Sequence, residues 1–212
     1  MLMKTDKRYN MSFTAGNLCF NESVIVAEVY DELGDWKKTR ERVLQNNLLQ
    51  AHRVNSAVRI YREVEARLKH LTEEELELFM LGSRFEKLCM LWIAVCKRHR
   101  FIFEFAREVV REKYLHLEML VTHQDFDRFY RDRAEWHDEL DRLSDSTRSK
   151  IRQVLFMIMK QAGIISDEGI INPFVLNREV VMAIIRDDKS LLAAFPVSEK
   201  DVGAVMEGDS NG

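Results

Sequence analysis

Chain breakers are scarce. The 212 residues include 2 Pro and 8 Gly, few for an all-β domain or a flexible linker. Cysteine is scarce as well. Cys19, Cys89 and Cys96 make an odd count with no Cys-x-x-Cys pair, which argues against a disulfide framework and against a zinc ribbon. Cys89 and Cys96 stand seven residues apart on one helix face and read as reduced core thiols of a cytoplasmic protein. Long apolar runs are missing too. The longest purely apolar stretch is Leu88 to Cys96, well short of the roughly 20 residues of a membrane span. No apolar signal core stands between Met1 and Phe20.

Catalytic signatures are also absent. There is no Gly-x-Gly-x-x-Gly, no phosphate-loop motif, no Gly-x-Ser-x-Gly and no His-Glu-x-x-His. The six histidines, at 52, 70, 99, 116, 123 and 137, show no metal-ligand spacing. These absences predict a protein that binds without catalysing. They predict no catalytic residue, metal, cofactor or small-molecule substrate.

What the sequence does contain is helical periodicity. Leu-, Glu-, Arg- and Ala-rich segments favour helix, and the capping signals are frequent. Asn21 can cap a helix that Gly34 stops, and Asp35 can cap the next. Val54, Ala57, Val58, Tyr61, Val64 and Leu68 follow the 3.6-residue period. Thr72-x-x-Glu75 is a capping box, and Ser83 opens the apolar helix that holds Trp92. Helix resumes from Phe101 to Lys113. The fold class expected is mostly α, a helical bundle with helix-turn-helix-like units.

The pattern changes at Tyr114. Leu115, Leu117, Met119 and Val121 alternate with polar residues, which predicts a short strand. Thr122 then caps a helix through Phe126, Phe129 and Trp136. Another helix follows Ser144 and runs to Ala162, with Gly163 as its stop. Ile164-Ile165 and Ile170-Ile171 flank a glycine-containing turn and predict a β hairpin. Leu176 to Ile185 reads as a last helix. The expected organisation is an N-terminal helical domain at 1–113, a winged-helix-like domain at 114–190, and a polar tail at 191–212.

Charge is sorted along the chain. The net charge is −3, so the protein is not a generally basic nucleic-acid binder. Yet nine Lys and Arg face three Glu between Lys37 and Lys69, and five face one Asp between Arg142 and Lys160. Arg53, Asn55, Arg59 and Arg62 form an outward stripe on the first of these helices. Arg and Asn are the side chains that make paired contacts to guanine and adenine edges. Ser146, Thr147, Arg148, Lys150, Arg152 and Gln153 stand at the start of the second, where hydroxyls and free backbone N–H groups favour phosphate. These ten residues are the candidate DNA-binding set. Each group also reads as an ordinary solvated face. The Lys97-Arg98-His99-Arg100 cluster beside Phe101, Phe103 and Phe105 resembles a basic-aromatic RNA surface, but at helical spacing those Phe residues read chiefly as core.

Three stretches carry a resemblance. "YNMSFTAGNLCFNES" followed by "ELGDW", then "LWIAVCKRHRFIFEFAREVVREKY", then "AEWHDELDRLSDSTRSKIRQVLFMIMKQAGII" resemble the BrxA family, a small component of BREX (bacteriophage exclusion) phage-defence systems. The resemblance runs from about Tyr9 to about Ile185. It implies an all-α protein that binds double-stranded DNA as a non-enzymatic accessory to the other BREX components, with methylation carried by a separate subunit. The family's likeness to the helical antitermination factor NusB keeps RNA binding open as an alternative. A pure assembly adaptor is a third reading. The resemblance supplies no site motif.

Overall fold

The computed structural model describes residues 8–207. Twelve α-helices occur among them: α1 Phe20–Leu33, α2 Trp36–Gln45, α3 Val54–Leu68, α4 Glu73–Leu81, α5 Arg84–Arg98, α6 Arg100–Phe105, α7 Glu112–Leu115, α8 His123–Ala134, α9 Asp138–Asp141, α10 Asp145–Gln161, α11 Arg178–Asp188 and α12 Glu199–Glu207. Short 3₁₀ turns lie at Ser12–Ala15 and Lys189–Ala194. A π turn at Ala106–Arg111 joins α6 to α7.

The helix boundaries follow local chemistry. Asp35, Thr72, Ser83, Thr122, Ser144 and Asn177 each accept a hydrogen bond from a backbone N–H in the first turn of the helix they open. Such a cap contributes about 1 kcal/mol. Gly34 ends α1 in the left-handed conformation (φ 61°) that glycine adopts at no steric cost. The start of α1 differs from expectation, because Cys19 and not Asn21 occupies the capping position.

Helix α5 is the axis of the molecule. Every residue from Cys89 to Cys96 is buried, and α5 packs against α3, α4, α6, α11 and the Lys189–Ala194 turn. Trp92 is wholly buried, and its indole N–H donates to the Ala194 carbonyl at 3.0 Å. One buried cluster runs from Tyr9 to Val197. It therefore crosses the expected boundary at 113/114, which falls within α7. The segment read as a polar tail also enters the core: Leu191, Leu192, Ala194, Phe195 and Val197 are buried, and α12 follows.

Helices α1, α2 and α3 pack against one another as a three-helix unit. Trp36 holds it together. Its ring stacks on Tyr30 at 3.9 Å, and its carbonyl accepts from the Tyr61 hydroxyl at 3.1 Å. The connection from α2 to α3 spans Asn46–Arg53, longer than the roughly three- or four-residue turn of a helix-turn-helix.

The expected winged-helix β hairpin is not seen. Among the described residues there is no strand, only two isolated antiparallel bridges, Leu120 with Ile170 and Ile165 with Ile171. Leu115 ends α7, and Leu117 takes a left-handed turn conformation (φ 61°). The alternation misled because it did not mark a buried face: Leu115 is 39% exposed and Leu117 85%, while Val121 is buried. At Ile164–Ile171 the chain reverses too tightly to extend a ladder. Ser166 and Gly169 bond within the turn, and Asn172 N–H closes it on the Ile164 carbonyl at 3.0 Å. Trp136, expected inside a helix, lies beyond the end of α8 and is 75% exposed.

Candidate nucleic-acid interface

The N-terminal candidates lie together on α3. Arg53 occupies the residue before the helix, and Asn55, Arg59 and Arg62 follow on its outer face, all exposed. The amphipathic pattern explains this placement, since Ala57, Tyr61, Val64 and Leu68 turn inward and are buried. Among the described residues Arg53, Arg59 and Arg62 have no ion-pair or hydrogen-bond partner for their side chains.

Asn55, Arg59 and Arg62 line one cleft of about 530 Å³ with Glu63, Arg98 and Gly16. Its far wall is the Ser12–Cys19 segment, which packs on α10 and donates the Leu18 N–H to the Gln161 side-chain oxygen at 2.7 Å. At the wall of the cleft lies a partly buried charge cluster. Glu63 accepts from Arg67 at 3.0 Å and from Arg98 at 3.2 and 3.3 Å, and meets His99 Nε2 at 3.2 Å. Burial alone would raise the Glu63 pKa. The His99 contact and the Arg67 and Arg98 charges outweigh burial and hold it at about 2. Burial pushes His99 below its ordinary value, against the pull of Glu63. Arg67 has no exposed side chain and donates to the Asn17 and Leu18 carbonyls at 2.8 and 2.9 Å.

The α10 candidates are differently engaged. Arg152 donates to both oxygens of Asp127 at 3.0 Å. Arg148 lies 3.5 Å from Asp145 and over the Tyr130 ring. Lys150 donates to Gln153 at 3.1 Å. Thr147 meets the Ser144 hydroxyl through both its backbone N–H and its side chain, so part of the hydroxyl pair expected to meet phosphate serves the helix cap. Ser146 stands exposed. The predicted set thus divides between a helix with unpaired cations and a helix whose cations have local partners.

The Lys97–Arg100 cluster is not a continuous surface. Lys97 pairs with buried Glu75 and with Asp187, His99 is buried, and Arg100 lies over Tyr9. Phe101 and Phe105 are core. Only Arg98 reaches the cleft. Its role and that of Glu63 were missed in the sequence, because their pairing spans 35 positions and leaves no local signal.

The sequence pattern of the BrxA family matches residues 7–188. The chain belongs to the BrxA family. A relative called BREX protein BrxA from Escherichia coli O9:H4 (strain HS) is 25% identical over 162 residues, 76% of each chain. Another of that name from Bacillus cereus (strain H3081.97) is 25% identical over 131 residues, 62% of this chain and 66% of the relative. The fold is similar to the crystal structure of an uncharacterized protein from Magnetospirillum magneticum. The TM-score is 0.75 at 19% identity, over 89% of this chain and 98% of that one. The BrxA match covers α1 through α11, and so includes α3, the cleft and α10. Among the described residues no group of three or more His, Cys, Asp or Glu is arranged to hold a metal ion, and no helix is long and apolar enough to cross a membrane.

Proposed function

We propose that the protein is a non-enzymatic accessory of a BREX phage-defence system that binds double-stranded DNA through the outer face of α3. The observation that carries this reading is the row of exposed guanidinium groups on one helix, Arg53, Arg59 and Arg62, which have no ion-pair or hydrogen-bond partner among the described residues. Unpaired surface cations can meet phosphates without first breaking an ion pair, and the DNA then releases its condensed counterions. Those of α10 must first leave Asp127 and Asp145. Asn55 and the arginines supply groups that could also meet base edges.

The test is a titration of the purified chain against duplex DNA, single-stranded DNA and structured RNA at two salt concentrations. Tightest binding to the duplex, weakening with salt, is the expected result. Preference for structured RNA would favour the NusB-like alternative. No binding to any of the three would favour an assembly adaptor. The adaptor reading has its own support in the exposed apolar side chains Leu117, Leu120 and Ile170, two of which meet at a bridge.

A further inference from the structure

The α3 cleft has features that a duplex-binding face does not require. Its volume of about 530 Å³ is that of a small-ligand pocket, typically about 300–1,000 Å³. Val58, Ile60 and Cys19 give it an apolar surface, while Asn55, Arg59 and Arg62 are its polar groups on α3. Three guanidinium groups, those of Arg59, Arg62 and Arg98, oppose the single Glu63 carboxylate, so the lining carries an excess of positive charge. A fourth lies just behind. Arg67 is fully buried, its Nη2 has no hydrogen-bond partner among the described residues, and it stands 3.6 Å from where a Cβ on Gly16 would be. The two net positive charges of the lining itself suit a phosphate monoester, which carries about −1.5 to −2 near neutral pH, better than a singly charged phosphodiester.

We propose that the cleft binds a nucleoside monophosphate. Arg59 and Arg62 hold the phosphate, and Val58 and Ile60 take the base. Asn55 and Glu63 serve base or sugar as hydrogen-bonding partners. A free nucleotide and the 5′-phosphorylated end of a strand present this same chemistry. The site shares its two arginines with the duplex-binding face but depends in addition on an open cavity. Occupancy of the cleft and duplex binding therefore compete.

The test separates cavity from charge. Gly16 has an extended backbone (φ −137°, ψ 178°) that any residue can adopt, and a Cβ there would stand 3.6 Å from Arg67 Nη2 and 3.9 Å from Glu63 Cγ, both ordinary contacts. Gly16→Leu should narrow the cleft without removing a charge. Calorimetric titration of the full chain with 2′-deoxyadenosine 5′-monophosphate should show one site per chain. Deoxyadenosine and inorganic phosphate should each bind at least tenfold more weakly. Both Gly16→Leu and Arg59→Ala/Arg62→Ala should weaken the nucleotide at least tenfold, but only the double variant should also weaken duplex DNA. Should Gly16→Leu fail to fold, displacement of a labelled duplex from the wild-type chain by the nucleotide, but not by deoxyadenosine, gives the same decision. Single strands with a 5′-phosphate or a 5′-hydroxyl identify the source, because a strand-end site prefers the former at least fivefold and a free-nucleotide site does not. The proposal is overturned if the nucleotide binds no better than inorganic phosphate, or if it binds Gly16→Leu as it binds the wild type. Either result leaves duplex binding by α3 untouched.

Discussion

At the scale of single residues, Glu63 is where folding and the candidate site meet. Its carboxylate receives Arg67 from within the core and Arg98 from the cleft. Removing the Glu63 carboxylate would leave the fully buried Arg67 without its ion-pair partner, a loss of about 3–5 kcal/mol. The pH dependence carries a clear sign. The folded pKa of about 2 lies below the ordinary 4.5, so the stabilisation is fully present above pH 4.5 and lost as pH falls toward 2. At pH 3 the part lost amounts to about 2 kcal/mol. Glu63→Gln should remove that part of the acid sensitivity, as read from denaturant unfolding at pH 6 and pH 3. An unchanged drop between the two pH values in the variant would show that Glu63 is not held ionised by its neighbours. His99 works in the same sense at higher pH. Its lowered pKa favours the folded state when the imidazole is neutral.

At the scale of elements, helices were legible and strands were not. Asp35, the Thr72 capping box and Ser83 placed α2, α4 and α5 because a cap is chemistry within four residues. The Leu115–Val121 segment gave the opposite lesson. Alternating apolar residues predict a strand only if one face is buried, and here Leu115 and Leu117 face outward while Val121 is buried. The outer stripe of α3 was legible from spacing alone. The pairing of Arg152 with Asp127, 25 positions apart, was not. One glycine fixes the turn that replaced the hairpin. Gly169 has φ 84°, and a Cβ on it would stand 2.6 Å from the Val121 carbonyl oxygen. Gly169→Ala should therefore cost about 2 kcal/mol or more and lower Tm by roughly 4–8 °C in a chain of this size. A thermal melt equal to wild type would contradict this close packing of the turn against Val121.

At the scale of the molecule, the two halves share one core and the C-terminal segment closes it. The sequence suggested a polar tail because Val197 onward is rich in small and charged residues. The Leu191, Leu192 and Phe195 cluster just before it is too short to show a period. Removing residues 198–212 deletes α12, which has no buried residue, and should lower Tm by only a few degrees. Removing 189–212 also deletes Leu191, Leu192, Phe195 and Val197 and the carbonyl that Trp92 bonds. Four buried side chains at about 1.5–3 kcal/mol each approach the whole stability of a typical domain, about 5–15 kcal/mol. That truncation should yield unfolded or aggregated protein by circular dichroism and gel filtration. Cooperative folding of the 1–188 fragment would show that the core is complete without the segment.

With a net charge of −3, the molecule as a whole does not attract nucleic acid, so affinity must come from a local face. If Arg53, Arg59 and Arg62 each meet a phosphate, the logarithm of duplex affinity should fall against the logarithm of salt with a slope of about −3. The most direct measurement is that slope for three proteins: wild type, Arg59→Ala/Arg62→Ala, and Arg148→Ala/Arg152→Ala. The α3 variant should bind more weakly and show a slope shallower by about two units, one for each lost contact. The α10 variant should keep a slope close to wild type, because its arginines already serve Asp145 and Asp127. An α3 variant with unchanged affinity and slope, beside an α10 variant that loses both, would contradict the assignment of α3 as the DNA-binding face.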